Sequence, residues 1–325
     1  MIMRIAGDGD YGQPATPGWR GRDWSVCERD ALIARRRLHY LDTGAGERAF
    51  VLVHGMGGRW QHWLETIPLL AEHGRVLALD LPGFGGSETP GATVSLDGFA
   101  DAAAELIRGL GVERAVLIGH SMGGPIAVRF ASRHPDLAEA IVLVGGAVFQ
   151  FSALLGLRDV LRLVTERPRE SAAIAAEIVS AGLPAPSVGR RLIASSPRLR
   201  RAVLAPYVFD PAALPFDSAA LIIAGGGAPG VLPTALAIGR SNPRKGIEAV
   251  SCPILSIGSE HDRITPLADT HAFQREVPRT RTIVLEGCGH MSMLERPQAF
   301  NTQLLAFAQA LPASSPTPPS KEQAP

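Results

Sequence analysis

Short apolar runs alternate along this chain with segments of helical periodicity. Six runs, rich in Val, Leu and Ile, occupy residues 49–54, 75–80, 115–120, 140–145, 253–258 and 282–287. Continuous apolar runs of this length are typical of strands buried on both faces, which occur in parallel sheets covered by helices. Between two of them, Ser95 can cap a helix that repeats apolar residues at helical spacing and stops at Gly111. The pattern therefore predicts an α/β fold.

The alternation is interrupted between residues 147 and 250. This segment is apolar and helical in pattern, is broken by prolines and shows no clear strand. Strands of the same sheet resume after it, so we interpret 147–250 as a helical cap over one end of the sheet, with a separate helical domain as the alternative. The core then covers 23–146 and 251–311. Residues 1–22 and 312–325, rich in Gly or Pro without periodicity, are predicted to be a flexible N-terminal segment and a disordered tail.

Ser121 lies in the turn of the stretch IGHSMGGP, between the run 115–120 and a helix that begins near Pro125. A strand that passes directly into a helix must reverse within a few residues, which strains the residue at the turn. Gly119 and Gly123, two positions to either side, remove Cβ atoms that would collide there. The pentapeptide alone could arise by chance in a chain with 35 glycines. The strand before it and the helix after it favour a nucleophile projected at the carboxyl end of the sheet.

A serine nucleophile requires a base and a group that orients that base. His290 follows the last apolar run in a loop bounded by glycines, before the final helix. Asp262 also follows a strand and precedes His290 in the chain, and Glu260 is the alternative acid. The order Ser, Asp, His, each at the carboxyl end of a strand, is the order expected for this type of sheet. We therefore expect Ser121, Asp262 and His290 to form a catalytic triad.

An attack on a carbonyl also needs donors for the oxyanion that develops. In the stretch VLVHGMGG, Gly55 lets the backbone turn so that the amide of Met56 points inward, and the amide of Met122 completes the pair. Gly57 is the alternative first donor. A plain glycine turn is the other interpretation, but the place of this stretch after an early strand favours an oxyanion hole.

These motifs resemble the α/β-hydrolase fold superfamily, in particular its esterase, lipase and C–C hydrolase branch. The nucleophile turn, the stretches HGMGGRWQHW and LDLPGFGGSE, and the acid and base positions occur in the expected order over about residues 24–311, the cap excepted. The resemblance implies a mostly parallel sheet of about eight strands flanked by helices. It implies that Ser121 is the nucleophile, His290 the base and then acid, and Asp262 its partner. Asp80 belongs to a structural loop in such proteins.

The resemblance also narrows the function. Haloalkane dehalogenases and epoxide hydrolases of this superfamily carry Asp where this chain has Ser121, which argues against both. We expect a serine hydrolase that cleaves an ester or thioester of a mainly apolar small molecule, since the cap is rich in Ala, Leu and Val. The same triad could serve C–C bond hydrolysis, elimination, acyl transfer or cofactor-free oxygenation. A small-molecule receptor is the alternative outside enzymology.

Composition and motifs exclude other classes. The 32 basic and 31 acidic residues leave a net charge of +1, which gives no broad footprint for nucleic acid or anionic lipid. Three cysteines without a C-x-x-C pair fit a reducing compartment, and neither a secretory signal nor a transmembrane run is found. Metal spacings are absent, and GGGAPG at 225–230 lacks the strand that precedes a dinucleotide site. We expect a soluble, cytoplasmic protein with no cofactor and no metal; the oligomeric state stays open.

Overall fold

The computed structural model describes residues 2–89, 94–146, 161, 164–166, 168–184, 186–242 and 244–312. Its centre is a sheet of nine strands. The strands are β1 (Ile2–Ile5), β2 (Glu28–Ile33), β3 (Arg36–Asp42), β4 (Ala49–Val53), β5 (Arg75–Leu79), β6 (Ala115–His120), β7 (Ala138–Val144), β8 (Ile254–Ser259) and β9 (Arg281–Leu285). All six apolar runs are strands, β4 to β9, and the predicted α/β fold is confirmed.

The strands are mostly parallel, as predicted. Their order is β1-β9-β8-β7-β6-β4-β5-β3-β2, and every pairing from β1 to β5 in this order is parallel. Only β3 pairs antiparallel with β5, and β2 pairs antiparallel with β3. Parallel strands end at the same edge of a sheet, so the loops after β4, β5, β6, β8 and β9 can meet there.

Helices cover both faces of the sheet. They are α1 (Ile67–Ala71), α2 (Leu96–Gly109), α3 (Gly123–Arg133), α4 (Pro168–Gly182), α5 (Ser187–Ser195), α6 (Pro197–Leu204), α7 (Phe216–Ala224), α8 (Val231–Arg240), α9 (Leu267–Glu276), α10 (Ser292–Glu295) and α11 (Pro297–Gln309). Successive side chains of a strand point to opposite faces. Accordingly Val51 packs in the core that contains α2 and α3, and Leu52 in the core that contains α1 and α11. Ser95 caps α2 as predicted, because its side chain accepts a hydrogen bond from the Gly98 amide at 3.0 Å.

The N-terminal segment is the part of the fold that the sequence analysis missed. Residues 1–22 were expected to be loose, but Ile2–Ile5 form β1 and pair in parallel with β9, Ile2 opposite Thr282. The buried guanidinium of Arg296 binds Asp10 at 2.6 Å and the carbonyl oxygen of Ala6 at 2.7 Å, which fixes the chain that follows β1. The prediction is corrected for this segment. A four-residue strand whose partners lie about 280 positions away leaves no local pattern.

Five helices, α4 to α8, occupy the predicted cap, and no strand occurs among its described residues. Residues 147–160 of the cap and 313–325 of the tail lie outside the described residues. The Gly230 amide donates to the carbonyl oxygen of Gly83 at 2.9 Å, in the loop after β5, and a ring nitrogen of His62 lies 3.1 Å from the carbonyl oxygen of Leu221 in α7. These contacts favour a cap on the sheet edge over a separate helical domain. Throughout the described parts of the chain, no helix is both long and apolar enough to cross a membrane.

Candidate active site

The turn from β6 to α3 has a strained residue at its centre. Ser121 is the first of the two residues between them, and its φ of 53° lies in the left-handed region that non-glycine residues rarely adopt. Its backbone is held on both sides, because its amide donates to Val144 of β7 and its carbonyl oxygen accepts from Gly124, each at 2.8 Å. Such strain persists only where the surroundings fix it, and it is typical of functional turns. The turn has the conformation that the sequence pattern predicts.

Glycines are required around this turn because other backbone segments approach closely. A Cβ atom on Gly119 would overlap the carbonyl oxygen of Gly123, and one on Gly123 would lie 2.5 Å from the carbonyl oxygen of Val53. A Cβ atom on Gly55 would lie 2.9 Å from Cβ of Ser121. A Cβ atom does not approach other atoms so closely without displacement, so Gly119 lets the turn close, and Gly55 and Gly123 let the β4 loop and the β6 turn pack against each other.

Asp262 and His290 lie in direct contact, after β8 and β9 respectively. Oδ2 of Asp262 is 2.8 Å from Nδ1 of His290, and both side chains are buried. Oδ1 accepts hydrogen bonds from the amides of Ile264 and Thr265 at 2.9 and 2.8 Å. A carboxylate accepts, so Nδ1 carries the proton of the neutral ring and Nε2 is the basic nitrogen. The pair is arranged as a base and its orienting acid.

Thr265 is a further residue of this pair that the sequence analysis missed. Its hydroxyl donates to Oδ2 of Asp262 at 2.6 Å and lies 3.3 Å from Nδ1 of His290. The signal was available, because a hydroxyl residue three positions after Asp262 is typical of a local turn in which an Asp side chain binds following amides. The acid is therefore held by three donors besides the histidine.

Glu260, the alternative acid, is directed away from His290. Its Oε1 accepts from the Arg4 guanidinium at 2.8 Å, and its Oε2 accepts from the Gly287 amide at 3.2 Å. Its side chain is 34% exposed. The structure thus places Asp262, and not Glu260, against His290.

The candidate oxyanion donors lie on either side of Ser121. Met56 lines the cavity described below, and Met122 is the residue at the N-terminus of α3. In the described part of the chain, the amides of Met56 and Met122 donate to no other residue. The same holds for the amide of Gly57, a residue with φ 63°. Met56 and Gly57 line the same cavity as Ser121, and the choice between them stays open.

His54 and Asp80 hold the loops on which these groups lie. Nε2 of His54 accepts from the Leu81 amide at 3.0 Å and its Nδ1 lies 2.7 Å from the carbonyl oxygen of Gly55, while burial lowers its pKa. This histidine is therefore neutral. The buried carboxylate of Asp80 accepts from the amides of Trp60 and Gly86 at 2.6 and 2.7 Å, which is the structural role predicted for it.

A cavity of about 240 Å³ lies between the sheet edge and the cap. The core contributes Ser121 and His290 to its wall, and the cap contributes mainly apolar side chains: Ala181, Leu183, Pro184, Ile193, Val203, Leu204, Tyr207, Ile222 and Ile223. No Asp, Glu, Lys or Arg is found among the described residues that line it. The described part of the wall is therefore mainly apolar and carries no Asp, Glu, Lys or Arg.

Two other histidines of this wall are neutral. Burial lowers the pKa of His62 to about 3 and that of His120 well below its usual value. Nε2 of His120 lies 2.9 Å from the carbonyl oxygen of His290, so it holds the backbone of the base. Neither histidine suggests a metal ligand set, and among the described residues no group of His, Cys, Asp or Glu is arranged to hold a metal ion.

Comparison with known proteins identifies the class. A family profile of the alpha/beta hydrolase fold matches residues 48–297, and the chain belongs to this family. Its fold is similar to that of an esterase from Thermogutta terrifontis, with a TM-score of 0.64, 22% identity and coverage of 87% of this chain and 98% of that one. It is also similar to the meta-cleavage product hydrolase CumD, with a TM-score of 0.64, 22% identity and coverage of 86% and 97%.

Curated relatives are more similar over shorter regions. The 2-hydroxymuconate semialdehyde hydrolase of Pseudomonas sp. (strain CF600) is 38% identical over 133 residues, which are 40% of this chain and 47% of that protein. The soluble epoxide hydrolase of Corynebacterium sp. (strain C12) is 36% identical over 119 residues, 37% of this chain and 41% of that protein. The chain thus spans less than half the length of each of these relatives.

Proposed function

We propose that the chain is a serine hydrolase that cleaves an ester or thioester of a mainly apolar small molecule. The observation that carries this proposal is the strained Ser121 in the same cavity wall as His290, whose Nδ1 lies 2.8 Å from the buried Asp262 carboxylate. A nucleophile, a base and an orienting acid on three strand ends support acyl transfer, and family membership supports the same conclusion. The proposed setting is a cytoplasmic enzyme that works without a cofactor.

In the proposed reaction, Oγ of Ser121 attacks the carbonyl carbon while Nε2 of His290 takes its proton. Asp262 stabilises the imidazolium and keeps the ring oriented. His290 then gives the proton to the leaving alcohol or thiol, and an acyl ester remains on Ser121. A water molecule attacks this ester with His290 again as base, and the carboxylic acid leaves.

The oxyanion of each tetrahedral intermediate needs donors that are in place beforehand. We assign this role to the amides of Met122 and Met56, with Gly57 as the alternative to Met56. The α3 N-terminus beside Met122 adds a favourable dipole. Gly55 and Gly123 support the turn by removing Cβ atoms from the contact between the two loops, and Gly119 removes one that would meet Gly123 within the turn.

The cavity supports an uncharged substrate with a small acyl group. Its volume of about 240 Å³ is below the range of about 300 to 1,000 Å³ of drug-sized ligand sites. No charged side chain is found in the described part of its wall, so a substrate charge there would be desolvated without a partner. An apolar acyl chain has no such cost.

C–C bond hydrolysis is the second candidate, because the relative from Pseudomonas is a 2-hydroxymuconate semialdehyde hydrolase. Another relative, from Paraburkholderia phymatum, is named for a nonadienedioate, a substrate with two carboxylates. The described cavity wall offers no cation for a carboxylate, which favours the ester over the dioate for this chain. Elimination, acyl transfer and cofactor-free oxygenation use the same triad and are distinguished by their products.

The test is turnover of p-nitrophenyl esters from acetyl to decanoyl by wild type and Ser121→Ala, with fluorophosphonate labelling of both. We expect activity that peaks at a short chain, labelling of Ser121, and loss of both in the variant. Folded wild type that is neither labelled nor active would overturn the proposal. If Ser121 is labelled but every ester stays intact, C–C substrates and incorporation of oxygen from labelled water are measured next.

A further inference from the structure

Glu295, at the end of α10, is a buried carboxylate with an unusual number of donors. Its exposed fraction is 0%, and it lies five positions after His290 in the chain. Its oxygens accept from the amides of Gly289 at 3.0 Å, Met291 at 3.0 Å and Phe209 at 2.7 Å. The hydroxyl of Tyr11 lies 3.2 Å from Oε2. Four groups of three separate segments thus converge on one side chain.

Two of these donors flank the proposed base. Gly289 and Met291 are the residues directly before and after His290, and both amides bind the Glu295 carboxylate. The glycines at 287 and 289 give this loop a flexible backbone, and Glu295 is the side chain that binds the amides on both sides of His290. The carboxylate therefore acts on the orientation of the imidazole through the peptide groups on both sides of it.

The third donor ties the same loop to the cap side of the cavity. Phe209 follows α6, and two residues earlier the carbonyl oxygen of Tyr207, a cavity residue, accepts from the His290 amide at 2.8 Å. The approach is close, since a Cβ atom on Gly289 would lie 2.7 Å from the Phe209 nitrogen. Glu295 and Tyr207 together bind the base loop, residues 286–291 between β9 and α10, to the cavity wall that we expect to contact the substrate.

We propose that Glu295 is a positioning residue that fixes the position of the base, His290, relative to Ser121 and to the cap. This inference rests on the proposed serine hydrolase function. The ionised form is the competent one, because backbone amides only donate and a protonated oxygen would face an N–H group. Protonation of Glu295 then loosens the loop that carries His290, and the rate of acylation falls.

Burial raises the pKa of Glu295 to about 7. The hydrogen bonds that the carboxylate accepts lower the pKa, but their effect is smaller than that of burial. Its titratable and charged neighbours are Tyr11 from the N-terminal segment, Cys288 and His290 from the base loop, Asp210 from the turn after α6, and Arg296. Tyr11 and Cys288 have pKa values raised by burial and stay neutral near pH 7. The Arg296 guanidinium binds Asp10 and backbone carbonyl oxygens rather than Glu295.

The test compares Glu295→Gln with Glu65→Gln in the full chain. Glu65 is the matched control, because it is equally buried and accepts from the Ala15 amide, the Trp19 indole and Arg20, but it does not touch the base loop. At pH 8 we expect Glu295→Gln to lose kcat by about 10- to 100-fold with KM changed far less, as for misplacement of a catalytic group. Glu65→Gln loses stability but keeps kcat. Folded Glu295→Gln with wild-type kcat overturns the proposal.

If Glu295→Gln does not fold, the pH dependence of Ser121 labelling in wild type decides. Protonation of His290 alone gives a log rate with a slope of 1, whereas a further 10- to 100-fold loss on protonation of Glu295 gives an interval of about one to two pH units in which the slope exceeds 1. A slope of 1 throughout overturns the proposal. Ser121→Ala, measured in parallel, separates the two questions: loss of labelling in this variant supports the serine hydrolase whatever the slope, and a wild type that is not labelled defeats the proposed function itself.

Discussion

Replacing Asp262 with Asn tests whether the acid sets the tautomer of His290. Oδ1 of Asp262 accepts from the amides of Ile264 and Thr265, which are fixed donors. In Asp262→Asn the side-chain oxygen must stay at this position, because an NH₂ group there would face two N–H groups. The NH₂ group therefore takes the place of Oδ2, which lies 2.8 Å from Nδ1 of His290.

This new donor forces the proton of His290 onto Nε2, the nitrogen that must accept the proton of Ser121. In other Ser-His-Asp triads the same substitution lowers kcat about 10⁴-fold for this reason. At 1.36 kcal/mol for each tenfold change, that is about 5.5 kcal/mol of transition-state free energy. The fold is retained, because the hydroxyl of Thr265, which donates to Oδ2 at 2.6 Å, can turn and accept from the new amide.

The assay is kcat and KM for the best p-nitrophenyl ester, together with a circular dichroism melt. Glu260→Gln, two positions away, is the control: this side chain is bound to Arg4 and does not contact His290, so its kcat stays that of wild type. Asp262→Asn that is folded and keeps more than about a tenth of kcat would refute the tautomer argument. A comparable loss in Glu260→Gln would also refute it.

Three further predictions follow from the same geometry. Gly119→Ala loses about 3 kcal/mol or more in urea unfolding, because its Cβ atom overlaps a carbonyl oxygen, whereas Gly109→Ala, with open space at the end of α2, is neutral or slightly stabilising. The unfolding free energy gains up to about 3 kcal/mol as pH falls from about 7 to 4.5, since folding raises the pKa of Glu295; in Glu295→Gln this gain is lost. Val203→Trp in the cavity wall shifts the preferred ester to shorter chains, and Leu192→Trp on the exposed side of α5 does not; equal chain-length profiles would contradict the assigned cavity.

The parts of the fold that could be predicted are those with a local sequence pattern. Buried parallel strands are continuous apolar runs, so β4 to β9 could be predicted. The turn at Ser121 could be predicted because its glycines are required at fixed spacing. The antiparallel strands β2 and β3 contain no continuous apolar run, since their mixed polar and apolar residues lie partly exposed at the edge of the sheet. Contacts between segments that are far apart in the chain, such as β1 with β9, produce no local sequence pattern.

In the candidate site, too, some residues could be predicted from a local sequence pattern and others could not. Asp262 and His290 could be paired from their order and from their strand ends alone. The turn after Asp262 offered a local signal for Thr265, but Glu295 could not be assigned, because its role depends on hydrogen bonds to the loop that carries His290. Glu295 lies in a helix after the base, where its pattern is that of any charged helix residue. Only the structure shows that it is fully buried.

The position of β7 explains why the acid and the base can meet at all. In the sheet β7 lies between β6, which leads to Ser121, and β8, which leads to Asp262. The chain after β7 must therefore leave room for the His290 side chain to lie between them. Gly145 directly follows this strand with φ 51°, and a Cβ atom there would lie 3.2 Å from Oδ2 of Asp262 and 3.3 Å from Nδ1 of His290. A side chain at this position would enter the contact between Asp262 and His290, so the sheet order itself requires a glycine after a strand that supplies none of the proposed catalytic groups.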